Sequence, residues 1–194
     1  MASKSELRDQ ALKRRDATDA AFRARASATI AARVLPIIAA LAPRTIAAYV
    51  AMRSEADPLP IIEAAHRQGA EIGLPVIGPG ATLLFRRYEP GHRLVPGGFG
   101  TMIPVEAAPV IEPELFVVPV VGFDRAGTRL GYGKGHYDRA IGALHDRGLR
   151  PPLVGIAFAL QEVEMIPHEP HDVRLDVIVT EDEILDFRDQ VGKR

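Results

Sequence analysis

The stretch TIAAYVAMRSEADPLPIIEAAHRQGAEIGLPVI, residues 45–77, decides which fold the sequence predicts. TIAAYVA (45–51) is a short apolar run of the kind that forms a buried strand. LPIIEAAHRQG (59–69) has apolar residues at helical spacing and ends on a glycine, where a helix commonly stops. EIGLPVI (71–77) indicates a second strand. A strand, a helix and a second strand form a βαβ unit, which predicts a parallel sheet with helices on its faces.

The rest of the chain extends this pattern. Further strands are predicted at 81–89, 115–123, 153–159 and 175–180, and an amphipathic helix at 136–148. The segment 90–113 is rich in glycine and proline and is predicted to be a loop. The fold class that follows is α/β, a three-layer α/β/α domain with a largely parallel central sheet.

Two helices are predicted before this core. Ser3 and Glu6 match a capping box at the start of the first helix. The second covers about 19–41, and Pro36 is expected to kink it or end it. We expect one domain over residues 1–194, with helices 3–41 packed on an α/β core 44–194.

Composition excludes several classes of protein. The net charge of the 194 residues is −1, which argues against nucleic-acid binding. Without cysteine there is no disulfide and no thiolate nucleophile. The charged N-terminus does not resemble a secretory signal, and charges and prolines interrupt the apolar region 28–52. We therefore expect a soluble, cytoplasmic protein that binds no membrane.

A glycine-rich segment, GYGKG (131–135), lies between a predicted strand and the helix at 136–148. Its glycines allow backbone N–H groups to converge on an anion, and the helix N-terminus adds partial positive charge. Arg129 and Lys134 add two full charges. The spacing matches neither a Walker loop nor the Rossmann fingerprint. The segment is therefore either a phosphate-binding loop or an unusual turn.

Two aspartates are candidate magnesium ligands. Asp138 lies in the first turn of the helix, where a carboxylate either interacts with the helix dipole or holds a magnesium ion beside phosphates. Asp176 begins a buried strand and requires a partner, which is a metal, an N–H group or an arginine.

Four blocks occur in the order of one known family: KSELR (4–8), YVAMRSE (49–55), FDRAGTRLGYGKGHYDR (123–139) and IPHEPHDVRLDVIVTE (166–181). The chain resembles the 5-formyltetrahydrofolate cyclo-ligases over nearly its whole length. The resemblance implies an enzyme that uses ATP and magnesium to turn 5-formyltetrahydrofolate into 5,10-methenyltetrahydrofolate. The γ-phosphoryl group activates the formyl oxygen, and N10 then closes the ring.

The resemblance also implies roles for individual residues. The residues expected to bind ATP are Lys4, Arg8, Arg129, Leu130, Gly131, Tyr132, Gly133, Lys134, Gly135, His136 and Tyr137, with Lys134 and Arg129 catalytic. Those expected to bind folate are Val50, Glu55, Tyr132, Lys134 and His136, and Asp138 and Asp176 are the expected magnesium ligands. Structural alternatives remain for several of them: a solvated basic face for Lys4 and Arg8, a helix-start packing residue for Tyr137, a turn carboxylate for Glu55.

Some residues stand outside this pattern. We hypothesise that Phe99 covers the pterin ring; the alternative is an aromatic side chain packed on the surface. Tyr49 is expected to line the folate pocket or to belong to the core. His136 replaces a tyrosine of many relatives and is expected to tune the site. His168 and His171 are three apart, but prolines around them exclude a regular helix, so we do not expect zinc there.

Other functions compatible with the residues are an ATP-using enzyme with a different acceptor and a nucleotide- or folate-binding protein without turnover. A dinucleotide oxidoreductase lacks the required glycine spacing. We expect a monomer or a weak homodimer.

Overall fold

The computed structural model describes residues 2–191, except the side chains of 99, 190 and 191. The helices are α1 Lys4–Asp16, α2 Ala20–Leu41, α3 Leu59–Arg67, α4 His136–Asp146 and α5 Arg188–Val191. The strands are β1 Thr45–Ala47, β2 Glu71–Ile77, β3 Leu83–Tyr88, β4 Leu94–Pro96, β5 Met102–Pro104, β6 Val110–Ile111, β7 Leu115–Pro119, β8 Gly122–Phe123, β9 Arg129–Leu130, β10 Leu153–Ile156, β11 Val177–Val179 and β12 Ile184–Asp186.

The main sheet has the order β12-β11-β10-β7-β1-β2-β3-β6. Neighbours from β11 to β2 pair in parallel, whereas β12, β3 and β6 pair antiparallel at the two edges. Apolar side chains of α2 and α3 pack on one face, and those of α4 pack on the other. The predicted three-layer α/β/α class with a largely parallel sheet is confirmed.

The first helix packs apart from these layers. The Ser3 hydroxyl and the Glu6 carboxylate form the predicted capping box at its start. Leu7 and Ala11 then pack on the small β8–β9 hairpin, against Val121 and Leu130. This contact fixes α1 beside the segment that carries the glycines.

The second helix has the predicted bounds of about 19–41. Pro36 does not end α2, because a proline removes only one intrahelical bond and the buried stripe of Ile30, Val34 and Ile38 holds the helix on the sheet. By length and composition alone α2 is long and apolar enough to cross a membrane, a test that core helices of soluble proteins also pass. The length of α2 therefore contradicts the expectation that charges and prolines divide the apolar region 28–52 into short runs.

The segment 90–113 is not entirely a loop. β4 and β5 form a hairpin whose tip is a short 3-10 turn, Gly98–Gly100, and β6 joins the sheet edge. The predicted strand 115–123 is divided, since the chain leaves the main sheet after Pro119 and pairs with β9 instead.

Candidate active site

A cleft of about 1760 Å³ opens at the carboxyl ends of β1 and β7. These strands are neighbours, but β1 leads through α3 to β2 on one side and β7 leads through α4 to β10 on the other. Open α/β sheets bind ligands at such a point, where the strand order reverses. The cleft is lined by segments that follow β1, by the glycine segment 131–135, by the start of α4 and by α1.

The glycine segment leads directly into α4. Gly133 (φ +87°) and Gly135 (φ +64°) have left-handed backbone that a side chain would strain, and Gly135 is the N-cap of α4. In the described part of the chain no side chain caps this helix. The first-turn N–H groups are therefore available to an anion in the cleft.

Cations surround this segment. Arg8 donates from Nε to the Gly131 carbonyl (2.7 Å), and its guanidinium lies 3.4 Å from where a Cβ on Gly133 would stand. Lys134 is exposed, and no hydrogen bond or ion pair engages its ammonium within residues 2–191. Arg139, which the sequence analysis did not single out, donates to the Lys134 carbonyl (2.8 Å) and bonds Nδ1 of His136 (3.0 Å).

Lys4 has a different environment from Arg8. Its ammonium lies between the carboxylates of Glu169 (2.5 Å) and Asp172 (2.6 Å). Burial alone lowers the pKa of Lys4, but these two partners outweigh burial and raise it above its ordinary value. Ligand atoms of Glu169, His171 and Asp172 lie within 4.8 Å of one another, but the lysine ammonium is already bound to two of these groups. His168 makes only a longer contact with Asp172 (3.8 Å).

The predicted catalytic Arg129 is buried and paired. Its Nη2 donates to Oδ1 of Asp138 (2.9 Å), which also accepts the Val173 N–H (3.2 Å). The guanidinium lies 5.8 Å from the centre of the Tyr137 ring. The buried Nε of Arg129 and the hydroxyl of Tyr137 have no hydrogen-bond partner among the described residues, and burial raises the pKa of that hydroxyl.

The two predicted magnesium ligands have different surroundings, since Asp138 lines the cleft and Asp176 is not among its lining residues. Oδ2 of Asp176 accepts the N–H of Leu153, the first residue of β10, and its charge interacts with His145 in the last turn of α4. Burial raises the pKa of Asp176, against the effect of the Leu153 N–H. Asp138 lies in the first turn of α4, about 10 Å along the helix axis from His145 at 1.5 Å per residue.

Asp176 immediately precedes β11 and so lies at the amino end of that strand, whereas the cleft lies at the carboxyl ends of β1 and β7. Its role as a magnesium ligand stays a prediction. Asp138 alone faces the cleft and suits an ion that also binds phosphate oxygens.

The predicted folate residue Glu55 follows β1 and belongs to a buried hydrogen-bonded group. Its Oε1 accepts the Tyr132 hydroxyl (2.7 Å), and its Oε2 accepts the Met52 N–H (2.8 Å). Arg15 donates from Nη2 to the Tyr132 hydroxyl (3.0 Å) and from Nε to Ser54 (3.0 Å). Burial raises the pKa of Glu55, although the Met52 N–H, Tyr132 and Arg15 act in the opposite direction.

Sequence reasoning missed Arg15, although a signal existed. Lys4, Arg8 and Arg15 lie four and then seven residues apart, which places all three on one stripe of a helix. Lys4 and Arg8 line the cleft, whereas Arg15 is fully buried and is not among the lining residues.

The remaining predicted residues differ in what they offer a ligand. Leu130 packs its side chain against α1, and its carbonyl accepts the Val121 N–H, so it is chiefly a core residue. Val50 lines the cleft half-buried. Tyr49 also lines it, but its hydroxyl donates to the Ala56 carbonyl (2.6 Å). The side chain of Phe99 lies outside the described residues, and its role stays a prediction.

Comparisons with known proteins agree in their result. The model of the 5-formyltetrahydrofolate cyclo-ligase family matches residues 1–181. The chain is 32% identical to the 5-formyltetrahydrofolate cyclo-ligase of Escherichia coli (strain K12) over 149 residues, covering 74% of this chain and 81% of the relative. The enzyme of that name from Saccharomyces cerevisiae is 31% identical, with 94% of this chain and 97% of the relative covered.

Solved structures show the same fold. The NMR structure of Aquifex aeolicus 5,10-methenyltetrahydrofolate synthetase is 31% identical, with a TM-score of 0.79 over 95% of this chain and 93% of that chain. A synthetase structure from Mycoplasma pneumoniae shares the fold with a TM-score of 0.75 at 24% identity. The chain belongs to the 5-formyltetrahydrofolate cyclo-ligase family.

Proposed function

We propose that this protein converts 5-formyltetrahydrofolate and ATP into 5,10-methenyltetrahydrofolate, ADP and phosphate, as the names of its relatives imply. The observation that carries the proposal is the composition of one cleft. A glycine loop with the exposed Lys134 and with first-turn N–H groups that no side chain caps in residues 2–191 forms one side, and the buried acceptor Glu55 forms the other. The cleft therefore offers complementary groups to a triphosphate and to the N–H donors of a pterin.

The cationic side of the cleft binds and orients ATP. Lys134 and the first-turn amides of α4 are placed to hold the transferring phosphoryl group, and Arg8 holds the loop through the Gly131 carbonyl. A lysine 4 Å from a phosphate oxygen contributes about 1 kcal/mol in water and about 4 kcal/mol at an effective dielectric constant near 20. The charges therefore act strongly only when substrates exclude water from the cleft.

The reaction needs little covalent chemistry from the protein. The formyl oxygen takes the γ-phosphoryl group and ADP leaves; N10 then attacks the activated carbon, the carbon–oxygen bond breaks, phosphate departs and N10 loses its proton. Alignment of the two substrates and neutralisation of phosphate charge supply most of the catalysis. A bound magnesium ion would neutralise further phosphate charge, and Asp138, which lines the cleft, is the residue that would hold it.

Glu55 and its partners are the groups that we assign to the folate. Its carboxylate accepts hydrogen bonds, which suits the N–H donors on the pyrimidine edge of a pterin. Val50 and the exposed ring edge of Tyr132 supply the adjoining apolar surface. A different acceptor molecule would have to present donors to the same buried carboxylate.

The test is whether the methenyl product forms only when both substrates are present. Purified protein, magnesium, ATP and 5-formyltetrahydrofolate should give the near-ultraviolet absorbance of the methenyl product only when all are present. ATP hydrolysis that is indifferent to folate indicates another acceptor, and binding without turnover indicates a non-enzymatic role; either result contradicts the proposal.

Variants connect the activity to the cleft. Lys134→Met deletes a phosphate-binding charge at nearly equal length and should keep the fold while lowering kcat at least a hundredfold. Lys13→Met is the matched control, because Lys13 is an exposed lysine on α1 that does not line the cleft. A fully active Lys134→Met variant would contradict the role assigned to the loop.

A further inference from the structure

The side chain of Arg15 is fully buried in the last turn of α1. Its Nε bonds the Ser54 hydroxyl and its Nη2 bonds the Tyr132 hydroxyl, both at 3.0 Å, but its buried Nη1 has no hydrogen-bond partner among the described residues. A fully buried arginine is rare unless it is paired, because removing its charge from water is costly. Its position therefore requires an explanation beyond the packing of α1.

Tyr132 connects this arginine to the cleft. Its hydroxyl accepts from Arg15 and donates to Oε1 of Glu55 (2.7 Å), and the Arg15 guanidinium lies 6.0 Å from the centre of its ring. The direct distance from Arg15 Nη1 to Glu55 Oε1 is 4.0 Å, too long for a hydrogen bond. The tyrosine hydroxyl is therefore the group that joins the two charges.

This chain of contacts spans the cleft. Tyr132 stands between Gly131 and Gly133 in the phosphate-binding loop, whereas Glu55 follows β1 on the folate side. An arginine that orients the hydroxyl of Tyr132 also sets where the loop stands relative to the carboxylate. Arg15 on α1 then helps to position residues of both the ATP site and the folate site.

We propose that Arg15 is a positioning residue of this site: through the Tyr132 hydroxyl it fixes the Glu55 carboxylate that receives the folate. Arg15 does not touch substrate, since it has no exposed surface. The inference rests on the proposed function in one respect, namely that Glu55 binds the folate substrate.

The proposal predicts a change in the pH dependence of folate binding. A carboxylate that accepts N–H donors must be ionised, and burial raises the pKa of Glu55 while the Met52 N–H, Tyr132 and Arg15 restrain that rise. Removing Arg15 or the hydroxyl of Tyr132 removes part of the restraint. The pH below which folate binding weakens therefore moves upward in both variants.

Other ionisable groups lie around Glu55. Tyr49, two residues after β1, and Tyr137, in the first turn of α4, are near its carboxylate, with Asp57 near Tyr49 and Asp16 near Arg15. Burial raises the pKa of both tyrosines, and it raises the pKa of Tyr132 to about 12. All three phenols therefore stay neutral between pH 5.5 and 8.5, and the two aspartates are present in every variant compared.

The experiment compares wild type, Arg15→Met, Tyr132→Phe and the double variant, with Lys13→Met as control for loss of a cation from the same turn of α1. Initial rates are measured against 5-formyltetrahydrofolate at saturating ATP from pH 5.5 to 8.5, together with the melting temperature. Both single variants should raise the folate KM about tenfold at pH 7, as expected for loss of a hydrogen bond to a charged group. The KM for ATP should change much less.

Two further results are expected. The acid limb of kcat/KM for folate should move to higher pH in both variants and not in the control. The double variant should resemble the worse single variant, because residues in one hydrogen-bonded network do not act additively. Arg15→Lys, which keeps the charge, should restore part of the folate affinity.

The proposal is overturned if Arg15→Met lowers the melting temperature but leaves the pH profile of wild type unchanged, or if Tyr132→Phe behaves as wild type. If Arg15→Met does not fold, Tyr132→Phe decides, since that side chain is 40% exposed and its loss of one hydroxyl leaves the core intact. Absence of methenyl product with the wild-type protein refutes the proposed function instead. In that case, 5-formyltetrahydrofolate binding by titration calorimetry, compared between wild type and Tyr132→Phe, still tests the positioning role.

Discussion

Removal of the Asp138 carboxylate should destabilise the whole protein, because that group is the ion-pair partner of a buried arginine. The Arg129 side chain is 4% exposed and that of Asp138 is 18% exposed, with Nη2 and Oδ1 2.9 Å apart. Within residues 2–191 no other acidic group pairs with Arg129, and its Nε has no acceptor. Asp138→Ala leaves this guanidinium buried without a counter-charge.

The expected magnitude follows from the burial of the pair. Removing one partner of a buried ion pair costs about 3–5 kcal/mol, and at this chain length each kcal/mol lowers the melting temperature by about 2–4 °C. Asp138→Ala should therefore lower the melting temperature by roughly 6–20 °C. Asp138→Asn keeps an oxygen for Arg129 and for the Val173 N–H, and should cost about 1–3 kcal/mol.

Thermal unfolding followed by circular dichroism measures the effect, with Asp146→Ala as control. Asp146 is an exposed aspartate in the last turn of the same helix, where a negative charge opposes the helix dipole, so its removal should be neutral or slightly stabilising. If Asp138→Ala melts within about 2 °C of that control, the ion pair contributes little to stability. Asp138 would then act chiefly on magnesium, and the variant would differ from wild type in its magnesium requirement instead.

Three further predictions concern single positions. Gly133→Ala should raise the KM for ATP about tenfold in steady-state kinetics, because the backbone there is left-handed and the Arg8 guanidinium lies 3.4 Å from the new Cβ. Gly155→Ala should lower the free energy of unfolding by about 1–3 kcal/mol in urea titrations, since its Cβ would lie 2.3 Å from Cδ1 of Leu175. Asp172→Asn should be less stable than wild type at neutral pH, and the difference should shrink below about pH 4. Burial raises the pKa of Asp172, but its hydrogen bonds hold it below the ordinary 3.8, so its stabilisation is present above that value and is lost as pH falls through the folded-state pKa.

The fold was predictable where the pattern of apolar residues is continuous. The βαβ unit 45–77 appears as β1, α3 and β2, because a buried parallel strand and an amphipathic helix each leave a distinct period in the sequence. The direction of β3 was not predictable from its own residues. It follows β2 through a short turn, Pro79–Ala81, which allows only an antiparallel neighbour.

In segment 90–113 the amino-acid composition predicted the structure less well. Its glycines and prolines indicate a loop, yet Val95 and Ile103 pair across a hairpin, and Val110 joins the sheet edge. Prolines are tolerated there because short edge strands leave some backbone N–H groups unpaired. Composition therefore identified the irregular part of the chain but not the strands within it.

The kinds of residue in the candidate site were predictable from the sequence, but the contacts between those residues were not. The glycine loop and its cations can be recognised locally because each lies within about ten residues, and the structure places Arg8, Lys134 and α4 at one cleft. The contact of Glu55 with Tyr132 spans 77 residues and that of Arg15 with Tyr132 spans 117, so no local pattern records them.

The burial of Arg15 shows why the contacts within the site cannot be predicted without the tertiary structure. Helical spacing places Lys4, Arg8 and Arg15 on one stripe, and by sequence the three are equivalent cations. The docking of α1 on the β8–β9 hairpin makes them different: Lys4 meets acidic residues 169 and 172, Arg8 lies on the glycines, and Arg15 enters the core beneath Tyr132. The carboxylates of Glu55 and Asp16, each 4.0 Å from the guanidinium, oppose a charge buried to that depth. The residue that sequence reasoning overlooked is therefore the one whose role depends most completely on how α1 is docked.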